Sequence, residues 1–198
     1  MKQAPGIPLK KPLEATTPNP APPYLAYSIG VIESSNITDR VPRRRQSRAA
    51  SQLLSTLQAQ TPFATAHSKS HSRAVAAVAI GCMDDLGLGI DIEWTGAERP
   101  IASIASYLQW EGGDPVTNEA FYRGWTFAEA YYKAFQQHPD KGLVIRAMTE
   151  GSDGGPIRMD DGIGFFPVTV GRDFQLSLVW KTTKLGPVVP ICVTSPFV

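Results

Sequence analysis

Cysteine, charge imbalance and long apolar runs are what this chain has least of. Its 198 residues include two cysteines, Cys82 and Cys192. Their positions show no metal-ligand spacing, and the sequence predicts reduced, packed thiols rather than a bridge. No histidine pairs with Cys82 in a recognisable arrangement, which argues against a nucleophilic thiol. A formal charge of +1 argues against general binding to nucleic acid or to a membrane surface. No apolar run approaches the roughly 18 to 20 residues that span a bilayer. Lys2, Lys10 and Lys11 precede no apolar signal core, and a cytoplasmic location is expected rather than secretion. The remainder, 42% hydrophobic and 19% charged residues, has the balance of an ordinary soluble domain.

The chain is long enough for one large domain or two small halves sharing a core. Residues 1–23 carry seven prolines and read as an extended or disordered leader. The apolar run Tyr24–Ile32 predicts a strand. A helix follows from about Pro42 to Leu57, with proline in its first turn and Ala50, Leu53, Leu54 and Leu57 as its apolar stripe. Arg73–Cys82 and Leu86–Glu93 predict the strands of a hairpin turned at Met83-Asp84-Asp85. Ile101, Ile104, Ala105 and Leu108 mark a short helix, broken between Glu111 and Pro115. A longer helix covers about Asn118 to Gln136 and stops at His138–Gly142. Leu143–Arg146, Gly164–Val170 and Gln175–Lys181 then predict strands. Strands and helices interspersed without strict βαβ alternation predict an α+β fold with mainly antiparallel sheet.

Within that pattern, Asp91 and Glu93 stand two apart on a strand and share a face. Glu129 and Lys133 stand four apart on a helix and share a face too. Three carboxylates aimed at one point repel one another unless a divalent cation joins them. Hard oxygen ligands suit Mg²⁺, which completes its shell with water and substrate phosphates. The lysine adds a point positive charge for the same phosphates. Arg40, Arg43, Arg44, Arg45 and Arg48 form a basic cluster that suits a phosphorylated ligand needing both arginine and metal.

These residues sit inside longer patterns. Gly89-Ile90-Asp91-Ile92-Glu93, followed by Trp125-Thr126-x-x-Glu129-Ala130-x-x-Lys133-Ala134, resembles the paired signature of the 4′-phosphopantetheinyl transferase superfamily. Ser70-His71-Ser72 resembles a third motif, and Arg48-Ala49-Ala50 and Gly142-Leu143 fit the same order. The matches span about residues 40 to 145. The resemblance is to the single-chain, two-halved type that activates peptide synthetases, and it implies two pseudo-symmetric αβ halves with the site in the cleft between them. The leader would precede an N-terminal half, 24–85, and a C-terminal half, 86–198, that holds the metal site; a monomer is expected. The implied activity moves the phosphopantetheine arm of coenzyme A onto a serine of an acyl or peptidyl carrier protein, releasing adenosine 3′,5′-bisphosphate. Asp91, Glu93 and Glu129 would hold Mg²⁺. Lys133, His71 and Ser70 would contact phosphates, and Arg48 would approach the 3′-phosphate. Attack by a serine hydroxyl also needs a proton acceptor, for which Glu129 is the candidate, directly or through a metal-bound water.

The chain departs from the family at two places. Ala128 stands where lysine usually precedes the helix glutamate, and Gln60-Thr61-Pro62 replaces a glycine-lysine-proline segment. Two other functions stay open on the sequence: a relative that binds carrier protein or coenzyme A without transfer, and a metal-dependent nuclease. The near-neutral charge and the helical spacing of Glu129 and Lys133 disfavour the nuclease. Each element also has an ordinary explanation. Asp91 and Glu93 suit the solvated face of an edge strand, Glu129 with Lys133 suits a surface helix pair, and Trp125, Tyr131 and Tyr132 suit core packing.

Overall fold

Strand β1 (Tyr24–Val31) leads into helix α1 (Arg43–Gln60) and then into β2 (Ala66–Ser72) and β3 (Val75–Cys82). A second series runs β4 (Gly87–Trp94), α2 (Ile101–Leu108), α3 (Asn118–Phe135), α4 (Lys141–Thr149), β5 (Ile157–Arg158), β6 (Ile163–Val170), β7 (Phe174–Lys181) and β8 (Pro190–Cys192). This computed structural model describes residues 24–82, 87–108, 115–150, 155–159, 162–181 and 188–193. The expected leader at 1–23, the turn at 83–85, the break at 111–114 and the acidic pair Asp160 and Asp161 lie outside those residues.

The strands form two sheets, ordered β2-β3-β1-β8 and β4-β7-β6-β5. All pairs are antiparallel except β8, which runs parallel to β1. Both halves share one strand connectivity: a strand, a helical segment (α1 in one half, α2 to α4 in the other) and a hairpin whose last strand inserts beside the first. In one half β3 lies between β2 and β1; in the other β7 lies between β6 and β4. The fold is therefore α+β in two halves, and β8 returns to the first sheet.

Alternation in the strands builds the layers. Leu25, Tyr27, Val75, Ala77 and Ala79 of the first sheet meet Leu88, Ile90, Ile92, Leu176, Leu178 and Trp180 of the second in one shared core. The opposite face of the first sheet, with Ala76, Val78 and Ile80, is covered by Ala50, Leu53, Leu54 and Leu57 of α1. Phe127 and Ala130 of α3 and Leu143 and Ala147 of α4 cover the outer face of the second sheet. Alternation then places Gly89, Asp91 and Glu93 of β4 on the side facing α3. At Gly89 the helix comes so close that a Cβ would overlap the Ala130 carbonyl. That missing side chain lets α3 lie directly on the acidic strand.

Two expectations are corrected. Leu143–Arg146 is helix, not strand: Asp140 caps α4 by accepting from the Leu143 N–H at 2.8 Å, and Leu143, Ala147 and Met148 bury one face. The β-branched Val144 and Ile145 suggested a strand, but the cap and the helical spacing prevail. Secondly, β3 and β4 are not a hairpin. Strand β3 is flanked by β1 and β2, and β4 pairs with β7 in the other sheet. Strand β2, which holds the Ser-His-Ser motif, is itself a full strand. Its polar alternation concealed it.

Candidate active site

The site forms where two sheet edges meet. Strand β2 ends the first sheet and β4 ends the second, and the gap between them is spanned by serine side chains instead of a backbone ladder. Ser68, Ser70 and Ser72 recur with the two-residue period of a strand, which puts their hydroxyls on one face. Their oxygens accept from the backbone N–H groups of Ile90 at 3.1 Å, Ile92 at 3.4 Å and Trp94 at 3.1 Å. Two of these hydroxyls pass their own protons onward. Ser70 donates to Asp91 Oδ1 at 2.8 Å and Ser72 to Glu93 Oε2 at 3.2 Å. The serines thus join the halves and orient both carboxyl groups.

Helix α3 brings the opposite charge. The Lys133 ammonium donates to Asp91 Oδ1 at 2.7 Å and to the Ile90 carbonyl at 3.0 Å. It turns across to β4 instead of pairing along its own helix with Glu129. Asp91 is only 5% exposed, and burial raises its pKa against the opposing pull of Lys133 and Ser70. Its second oxygen, Oδ2, is buried without a hydrogen-bond partner. Glu93 is raised as well, first by burial and then by the Asp91 charge, with a smaller push from Glu129. Glu129 itself is half-buried on α3. Glu93 thus feels the charge of both other acids, one on its own strand and one on the helix.

No protein-family model matches the chain, and no curated protein matches it.

Among the described residues, no group of three or more His, Cys, Asp or Glu is arranged to hold a metal ion. Asp91 and Glu93 share the face that looks onto α3, yet the trio is not closed with Lys133 resting on Asp91. The donor chemistry nevertheless fits a hard divalent cation. The ligands on offer are carboxylate oxygens, one of them is buried and unpartnered, and neighbouring acids resist ionising together.

The other expected residues divide. His71 lies on the α1 side of β2, 3.3 Å from the Ser47 hydroxyl. Burial lowers its pKa first, and the positive charges of Lys133 and Arg43 lower it further, which leaves a neutral imidazole near neutral pH. Ser70 serves Asp91 in this structure. Arg48 is exposed on α1; the arginines beside His71 are Arg40, Arg43 and Arg73, which line an open cleft with it. Cys82 and Cys192 are free, the latter exposed and not packed.

Arg99, on the loop after β4, was not singled out by its sequence context. The Tyr122 hydroxyl, donating to the Ala97 carbonyl at 2.7 Å, pins that loop to α3. The Arg99 guanidinium lies 3.7 Å from Glu93 Oε2 and 4.9 Å over the Trp125 ring. On the same helix, Trp125 and Ala128 face a pocket of about 300 Å³ shared with Leu108, Phe121, Val144 and Met148. Acids thus lie between a basic cleft on the α1 side and an apolar pocket on the α3 side.

Proposed function

We propose that the protein is a Mg²⁺-dependent 4′-phosphopantetheinyl transferase, cytoplasmic in location, that converts an apo acyl or peptidyl carrier protein to its holo form. The observation carrying this reading is the knot of Ser70, Asp91 and Lys133 at the junction of the two sheet edges, with Glu93 and Glu129 beside it. Coenzyme A has three chemically distinct parts: a phosphorylated nucleotide, a pyrophosphate and a pantetheine arm. The basic cleft, the acid–lysine junction and the apolar pocket supply an environment for each.

Asp91, Glu93 and Glu129 would hold the metal, which when bound neutralises charge on the pyrophosphate oxygens. In the transfer, the carrier serine oxygen forms a bond to the phosphorus that bears the pantetheine arm. The bond from that phosphorus to the bridging oxygen breaks, and adenosine 3′,5′-bisphosphate leaves with the electron pair. Glu129 takes the serine proton. Lys133 offsets charge on the departing phosphate, and the pocket beside Trp125 keeps the arm out of water. Ala128 contributes to that pocket the small apolar surface that a lysine would not.

Incubation with coenzyme A, Mg²⁺ and several apo carrier proteins tests the reading by carrier mass. A gain of one phosphopantetheine group, lost in Asp91→Ala, is the expected result; no gain on any carrier removes it. A second reading, binding of coenzyme A or carrier without transfer, is favoured by Ala128 and by the open acidic trio, and would show as binding with no change in mass.

A further inference from the structure

The turn between β2 and β3 is as tight as a hairpin allows, with Ser72 paired to Val75 across it. Arg73 takes its first position at φ 54°. Residues with a Cβ rarely enter this left-handed region, whereas glycine enters it freely. The turn is also firmly held. The Arg73 carbonyl accepts from Gln46 Nε2 at 2.6 Å, the Ala74 N–H donates to the Ile37 carbonyl at 3.1 Å, and the Ile32 N–H donates to the Ala74 carbonyl at 2.7 Å. Strain kept at a fixed position points to a use for the side chain.

That side chain reaches across to the other half. Its guanidinium lies over Trp94, 4.0 Å from the ring centroid, and Trp94 directly follows Glu93 on β4. The stack occupies the guanidinium face and leaves its N–H edge for hydrogen bonding. Arg73, Arg40, Arg43, Gln46, His71 and Ser72 line the open cleft, about 440 Å³ in volume, and among the described residues no carboxylate lines it. Among the described residues, none of these three arginines forms an ion pair. Three like charges lining one cleft repel one another until an anion joins them.

We propose that Arg73 is a specificity-determining residue that contacts a terminal phosphomonoester in this cleft. Guanidinium groups match the fork of phosphate oxygens and bind a dianion more strongly than a singly charged diester. Resting on the coenzyme A reading, the ligand group is the 3′-phosphate, held by Arg73 with Arg40 and Arg43 and not by Arg48. The chain then keeps an arginine where glycine would relax the backbone, because the charge selects the 3′-phosphorylated donor over its dephosphorylated form.

Arg73→Gly separates strain from charge. Its melting temperature should equal or exceed that of the unsubstituted protein, since glycine suits the turn. Titration calorimetry with adenosine 3′,5′-bisphosphate should show a Kd raised at least about tenfold, the scale of one lost charged hydrogen bond. Binding of adenosine 5′-monophosphate should not change. Arg73→Asn, which tolerates positive φ, repeats the test with a side chain present. Equal bisphosphate affinity in Arg73→Gly and the unsubstituted protein overturns the proposal, as does an unsubstituted protein that binds both nucleotides alike. Failure of both variants to fold overturns it too, because the guanidinium would then serve the Trp94 stack. Bisphosphate binding that depends on Arg73, with no carrier gaining mass, upholds this inference and rejects the transferase reading instead.

Discussion

Lys133→Met keeps most of the apolar stem but takes the ammonium away from Asp91 Oδ1, 2.7 Å distant, and from the Ile90 carbonyl at 3.0 Å. Asp91, 5% exposed, is left with the Ser70 hydroxyl as its side-chain partner. An uncompensated buried carboxylate costs about 3–5 kcal/mol, but it can escape by taking up a proton. For a carboxyl of ordinary pKa about 3.9, that escape costs about 1.4 kcal/mol per pH unit, hence about 4 kcal/mol at pH 7 and about 1.5 kcal/mol at pH 5. Those figures cap the loss from Asp91. Burial already raises Asp91 with Lys133 in place, and the unsubstituted protein carries part of the cost. Including the lost bond to Ile90, the expected destabilisation is about 2–3 kcal/mol at pH 7, shrinking on acidification. Urea unfolding of both metal-free proteins at pH 5, 6 and 7 measures it. A difference below about 1 kcal/mol at pH 7, or one that does not shrink toward pH 5, refutes the claim that Lys133 compensates a buried charge. Adding Asp91→Asn to Lys133→Met should recover most of the loss.

Glu129→Gln should retain the fold and lower turnover by about two orders of magnitude or more, measured as carrier modification; near-normal turnover would remove Glu129 as the base. Asp91 and Glu93 both hold their protons more tightly in the fold than in the unfolded chain. The stability they contribute is therefore complete below an ordinary carboxylate pKa of about 4 and is lost as pH rises through their raised values. The metal-free protein should melt higher near pH 5 than near pH 8, and Asp91→Asn with Glu93→Gln should flatten that slope; an unchanged slope rejects the assignment. Gly89→Ala should cost about 1–3 kcal/mol or more, because the new methyl meets backbone of α3 and not a movable side chain. Normal thermal stability in that variant would mean the helix crosses β4 less closely than described.

Local patterns made much of this fold legible. The apolar stripe of α1, the cap and breaker signals around α3, and the alternation in β1, β6 and β7 each depend on a few neighbouring residues. Strand pairing does not. Nothing in Val75–Cys82 or Gly87–Trp94 says that they belong to different sheets, because both present apolar faces to the same core. The site followed the same division. Asp91 with Glu93 and Glu129 with Lys133 declare a shared face by spacing alone, and α3 does lie over the acidic strand. Which arginine lines the cleft depends on how α1 rotates against β2: Arg43 lines it, and Arg48 is exposed on the same helix. Arg99 is placed by a loop that α3 holds from a distance in sequence, and no local pattern marks it. The Ser68, Ser70 and Ser72 period was a usable signal for both the missed strand and the hydroxyls that orient the acids.

Strand β8 changes how the halves can move. The chain crosses from the first sheet to the second before β4 and crosses back before β8, which docks alongside β1. Two crossings restrain the halves where one would leave a free hinge. Wide opening of the halves would break the core their sheets share, and on the proposed transferase reading donor entry and product exit would fall to side-chain rearrangement at the rim. Turnover in such an enzyme should respond more to substitutions lining the cleft than to changes in the segments that link the halves.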